Sequence, residues 1–143
     1  MFLGEYKHSL DAKGRISIPV KYRSELGLAA IVTKGLEGCL FLYPKSVWEE
    51  MAQRIASLPI SSASARSFSR MMLSGAMEVE IDKLGRALLP GYLREYAGID
   101  GETIIAGLYN RVEIWDKKTW EQTTKDTESR SAEIAEELKE WEI

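Results

Sequence analysis

One segment of the chain occurs twice. Residues 11–27 read DAKGRISIPVKYRSELG, and residues 82–98 read DKLGRALLPGYLREYAG. At a constant offset of 71, Asp11 meets Asp82, Gly14 meets Gly85, Arg15 meets Arg86, Pro19 meets Pro90, Arg23 meets Arg94 and Gly27 meets Gly98. After one inserted residue the match resumes. Gly35-Leu36 meets Gly107-Leu108; Leu40, Leu42 and Tyr43 meet Val112, Ile114 and Trp115; Trp48-Glu49 meets Trp120-Glu121. Turn residues, apolar positions and aromatic anchors agree together, so the chain must fold as two copies of one supersecondary unit.

Each copy has the same readable layout. A short strand ends at Leu10 or Ile81, and a four-residue turn, Asp11-Ala-Lys-Gly14 or Asp82-Lys-Leu-Gly85, follows. Asp suits the first turn position because its carboxylate accepts from backbone amides two residues on, and Gly suits the last because it tolerates positive φ. A second strand runs from Arg15 or Arg86 to the proline. Pro19 or Pro90 then opens a short helix that Gly27 or Gly98 closes. Two strands complete each copy: 29–34 with 39–43, and 103–108 with 111–115, the latter joined through Tyr109-Asn110.

Val47, Trp48, Met51, Ile55 and Leu58 recur at helical spacing until Pro59 stops them, and a second helix is expected near 63–74. The tail after Lys117 is helical in pattern, with Ile134, Leu138 and Trp141 on one stripe and Glu133, Glu136, Glu137 and Glu140 away from it. The expected class is α+β. Residues 1–58 form the first unit with its following helix, 59–77 a helical linker, and 78–143 the second unit with a helical tail.

A chain of 143 residues with 45% hydrophobic and 29% charged residues can bury a core. Its apolar runs are too short for a membrane span, and Glu5 and Lys7 interrupt any signal sequence at the start, so a cytoplasmic location is expected. With one cysteine, Cys39, and one histidine, neither an intrachain disulfide nor a structural zinc site is expected. Net charge is −3 but unevenly spread. Residues 1–35 carry Lys7, Lys13, Arg15, Lys21, Arg23 and Lys34 against Glu5, Asp11 and Glu25, whereas acids outnumber bases after residue 115. The result is a positive front and an acidic back.

No phosphate-binding glycine loop or dinucleotide fingerprint is present. His8, Ser9 and Asp11 do not make a triad, because neighbours on a strand point to opposite faces. No enzyme, cofactor, metal or small-molecule substrate is therefore expected. The hairpin arginines stand apart. Ile16 and Ile18 face inward, which turns Arg15 and Ser17 outward. Arginine there can bond a phosphate or grip a guanine edge with two donors. Arg15 and Arg86 are the main candidate DNA contacts, supported by Lys13, Lys7 and Lys83. Asp11, Gly14, Asp82 and Gly85 are expected to shape the turns. The competing reading is that each arginine only pairs with its own aspartate. The first copy should bind more strongly, since Glu78 and Glu80 flank the second.

The opening MFLGEYKHSLDAKGRISIPVKYR, the central RSFSRMMLSGAMEVEIDKLGR, the stretch Trp120-Glu121-Gln122 and the doubled Asp-x-x-x-Arg signature resemble the MraZ family over essentially the whole chain. That resemblance implies two tandem SpoVT-AbrB-type domains, a swapped-hairpin kind of β-barrel, so that one subunit is similar to an AbrB-type dimer. It also implies homo-oligomeric rings, and transcriptional regulation through double-stranded promoter DNA with short direct repeats. Autoregulation of the division and cell wall gene cluster, on the nucleoid, would follow. By the same resemblance Asp11, Arg15, Asp82 and Arg86 carry over as motif residues. The alternative class is an AbrB-like antitoxin or a ring-forming interaction module whose arginines make only salt bridges.

Overall fold

Two tight turns direct the architecture. In the computed structural model, which describes residues 1–142, strand β1 (Phe2–Ser9) ends in a turn where the Gly14 N–H donates to the Asp11 carbonyl at 3.0 Å. The Asp11 N–H donates to the Arg15 carbonyl at 2.9 Å, and Gly14 sits at φ +83°, which glycine adopts without a Cβ penalty. The chain thereby reverses into β2 (Arg15–Ser17). Both bonds recur at Asp82, Gly85 and Arg86, joining β5 (Met77–Glu80) to β6 (Arg86–Leu88).

Helices α1 (Val20–Leu26) and α4 (Gly91–Ala97) start directly after Pro19 and Pro90 and stop at Gly27 and Gly98, both with positive φ. Strands β3 (Ala29–Lys34) and β4 (Leu40–Pro44) complete the first copy, β7 (Glu102–Tyr109) and β8 (Val112–Asp116) the second. Helix α2 (Lys45–Ala56) follows β4 and α5 (Lys117–Ser129) follows β8. The expected helix near 63–74 is α3 (Ala63–Ser69) running into a wider π-helical turn, Arg70–Ser74. Helix α6 (Ser131–Glu137) and a 3-10 turn, Lys139–Trp141, end the described chain.

The strands cross between copies. A six-stranded antiparallel sheet runs β1-β7-β8-β4-β3-β5, and β2 and β6 form a separate ribbon. Within the sheet β1 lies against β7 of the other copy, from Phe2↔Tyr109 to Ser9↔Glu102, and β5 lies against β3. The ribbon is centred on Ile16↔Ala87 and the β4–β8 pair on Phe41↔Glu113, in each case residues equivalent in the repeat. The copies are therefore related by an approximate twofold axis, and neither completes a sheet alone.

The main core lies between ribbon, α1, α4 and one sheet face: Ile16, Ile18, Tyr22, Leu89, Leu93, Ile105 and Ile114 are almost fully buried. The opposite sheet face packs Phe41, Tyr43 and Trp115 against Trp48, Met51 and Ile55 of α2 and against Met72. Here the symmetry fails. Where α2 has Val47, Met51 and Ile55, α5 has Thr119, Thr123 and Thr127. Only α2 thus needs a cover, which α3 and the π-helical turn supply through Phe68 and Met72. The tail's stripe is only partly covered: Ile134 is half-buried, whereas Leu138 and Trp141 are exposed. No helix among the described residues is long and apolar enough to cross a membrane.

Candidate nucleic-acid interface

On the β2–β6 ribbon, Ile16 and Ala87 point into the core, so Arg15, Ser17, Arg86 and Leu88 share the outward face. Arg15 stands opposite Leu88 and Arg86 opposite Ser17, which puts the two arginines on one diagonal. Both line a shallow cavity of about 500 Å³, together with Glu78, Glu80 and Asp82.

Each arginine is held by its own aspartate. Arg15 Nε donates to Asp11 Oδ2 at 2.7 Å, and Arg86 Nε to Asp82 Oδ2 at 3.0 Å. The other carboxylate oxygen accepts two backbone N–H groups at 2.9 Å, those of Lys13 and Arg15 in one turn and of Leu84 and Arg86 in the other. One carboxylate thus shapes the turn and aims the side chain. The ion pair does not consume the guanidinium, because it occupies Nε alone. Among the described residues the terminal nitrogens of Arg15 and Arg86 have no hydrogen-bond partner, and both side chains are about 70% covered, hence restricted. A pre-aimed pair of parallel donors loses little freedom on gripping a phosphate or guanine.

The backbone N–H of Arg15 is the main cause that holds the Asp11 carboxyl below the usual aspartate range, and Arg86 does the same to Asp82. A depressed folded-state pKa contributes stability that is present above the unfolded value of about 3.9 and is lost as pH falls through the folded value. Asp11→Asn should therefore be less stable than the parent at pH 7, with the difference shrinking below about pH 4. Urea unfolding of both proteins across pH 2–7 checks this; a gap that stays constant rules out the carboxylate's role.

The turn glycines have a second duty. A Cβ on Gly85 would collide with the Arg23 guanidinium, and one on Gly14 would sit 3.0 Å from Arg94 Cζ. These helix arginines donate through Nε to the carbonyls of Ile18 and Leu89, at 2.9 and 3.0 Å, and lie against the turn of the opposite copy. Four arginines thus gather around the ribbon. The sequence places Arg23 among the bases near the first turn and matches it to Arg94 in the repeat, but it does not reveal that each packs against the turn of the opposite copy.

The lysines differ among themselves. Lys7 on β1 is paired with Glu102 at 3.2 Å, and Glu102 also takes Lys117. Lys13 and Lys83 are exposed on the turns, with no ion pair among the described residues. The turns are not identical, since the position of Lys13 is taken in the second copy by Leu84, 66% exposed.

Fold and site define a class: a duplicated α+β protein whose copies exchange strands across an approximate twofold and present paired Asp-x-x-x-Arg turns. The family described as "MraZ protein, putative antitoxin-like" matches residues 1–71 and again 72–140. The chain belongs to the MraZ family. It is 48% identical over all 143 residues, the full length of both chains, to a protein of Moorella thermoacetica named "Transcriptional regulator MraZ". A Syntrophomonas wolfei protein of that name is 51% identical over 138 residues, 96% of each chain, and one of Halothermothrix orenii 50% identical over 135 residues, 94% of each.

Proposed function

We propose that this protein is a sequence-specific transcriptional regulator that binds double-stranded promoter DNA bearing short direct repeats, and that it controls its own division and cell wall gene cluster. The observation that carries this is the outward ribbon face, where Arg15 and Arg86 are aimed by Asp11 and Asp82 while their terminal nitrogens stay open. Lys13 and Lys83 add phosphate contacts at the turn tips; Lys7 does so after leaving Glu102. Gly14 and Gly85 shape the turns rather than touch bases.

The exchange of β1 and β5 between copies supports the SpoVT-AbrB-type swapped-hairpin assignment. The division into 1–58, 59–77 and 78–143 belongs to the same reading. The relatives bear the name of a regulator, not of an enzyme. The protein acts on the nucleoid, as a homo-oligomeric ring. One subunit offers two turns and an acidic tail, so single-site affinity is modest. Joining several subunits raises the effective concentration of the remaining contacts and can strengthen binding ~10²–10⁴-fold.

The test is to titrate fragments from upstream of the gene, carrying one to four repeats, in a gel shift at several salt concentrations. Affinity should climb with repeat number and fall steeply with salt, as released counterions require. Equal affinity for scrambled DNA would refute sequence-specific binding.

A further inference from the structure

We propose that the C-terminal segment of one copy seats in the groove between α2 and α3 of a second copy. This deepens the homo-oligomeric reading above, rests on it, and names the surfaces that meet.

The groove has a volume of about 360 Å³ and is lined by Leu58, Ile60, Ala65 and Leu73, with Arg66 and Arg70 at its rim. Ile60 is 84% and Leu58 41% exposed, so the apolar lining of the groove is open to solvent. The groove is already formed, because Arg66 Nη1 donates to the Ile60 carbonyl at 2.9 Å and fastens the loop after α2 to α3. Arg70 makes no ion pair among the described residues, so the rim keeps a spare positive charge.

The tail is its complement. Ile134 on α6, Leu138 at its end and Trp141 in the following 3-10 turn recur at i, i+4 and i+7; Ile134 is half-buried, and Trp141 is 68% exposed. Around them stand Glu133, Glu137 and Glu140, none with a basic partner among the described residues; Glu136 is paired with Lys139 at 2.9 Å. Apolar surface with spare negative charge thus matches apolar surface with spare positive charge.

The occupant is a second copy rather than the chain's own tail. Helix α2 packs on β3 and β4 while α5 packs on β7 and β8, which lie in opposite halves of the sheet. The tail continues from α5 and touches chiefly α5 and its own last turn. Groove and plug are therefore separate surfaces on one molecule. Such a contact is heterologous, and each subunit offers both ends.

The test is a mixing experiment read by light scattering. Leu138→Glu/Trp141→Glu removes the plug; Ile60→Glu/Arg70→Glu removes the groove. All four side chains are exposed, so the fold should survive. The parent should run as an assembly larger than a dimer and each double variant as a 16.1 kDa monomer. An equimolar mixture should give a one-to-one dimer, since one intact plug meets one intact groove and the outer ends are dead. The proposal is overturned if the parent is a monomer at tens of micromolar, if either variant keeps the parent's mass, or if the two monomers fail to recombine. Promoter binding is read separately on the same variants by gel shift, so failed assembly and failed DNA recognition give different results.

Discussion

Arg15→Ala is expected to lower operator affinity by roughly 5–150-fold for each arginine–base pairing it removes, about 1–3 kcal/mol, without unfolding the protein. The fold should survive because Asp11 keeps both backbone N–H bonds when the side-chain bond from Arg15 Nε is gone. Arg15→Lys should not rescue binding. An ammonium has no Nε for Asp11 to hold and no parallel pair of donors left over. Arg86→Ala should cost less, since the strand leading into its turn carries Glu78 and Glu80 where the strand leading to Arg15 carries Lys7 and Ser9. Fluorescence anisotropy on labelled promoter DNA, with circular dichroism as the folding control, measures all three. Normal binding by Arg15→Ala would remove the arginine from the interface.

Gly107→Val is expected to destabilise the protein by about 3 kcal/mol, the upper end of what overpacking costs, or roughly 6–12 °C in Tm. Its φ is ordinary; space is the constraint. A Cβ there would lie 2.6 Å from backbone atoms of Phe2 and Leu3 and from the Tyr22 hydroxyl. That hydroxyl is directed at the carbonyls of Leu3 and Gly4, at 2.7 and 2.9 Å, and ties α1 to the edge strand. Gly4 pairs with Gly107 itself, so neither backbone can withdraw without opening β1 from β7. Gly101→Ala is the control, because nothing lies within 4 Å of its added carbon. Equal melting temperatures for both variants would show that β1 yields.

Local features were legible from the sequence because local chemistry sets them. The Asp-x-x-Gly turns, the proline-to-glycine helices and the hairpin strands lie where composition put them. Strand exchange was not legible from pattern alone. Duplication makes β3 and β7 chemically similar, so by pattern β1 suits either; in the fold β1 pairs with β7 while β2 pairs with β6. The two readings of Arg15, ion pair or open donor, looked exclusive and are not, since they use different nitrogens. The stripe of Ile134, Leu138 and Trp141 was visible as a period, but periodicity says nothing about what covers a face.

On the proposed function, the approximate axis has a consequence for the kind of text such a molecule reads. A homodimer with a true axis carries two identical heads and is matched to palindromes. Here both heads belong to one chain, and each can change by its own mutations. They already have: Ala12-Lys13 fills one turn and Lys83-Leu84 the other. The lysine stands third in one turn, after Ala12, and second in the other, before Leu84, and that difference gives the subunit a direction along any duplex it lies on. A reader with a direction suits repeats that all point the same way.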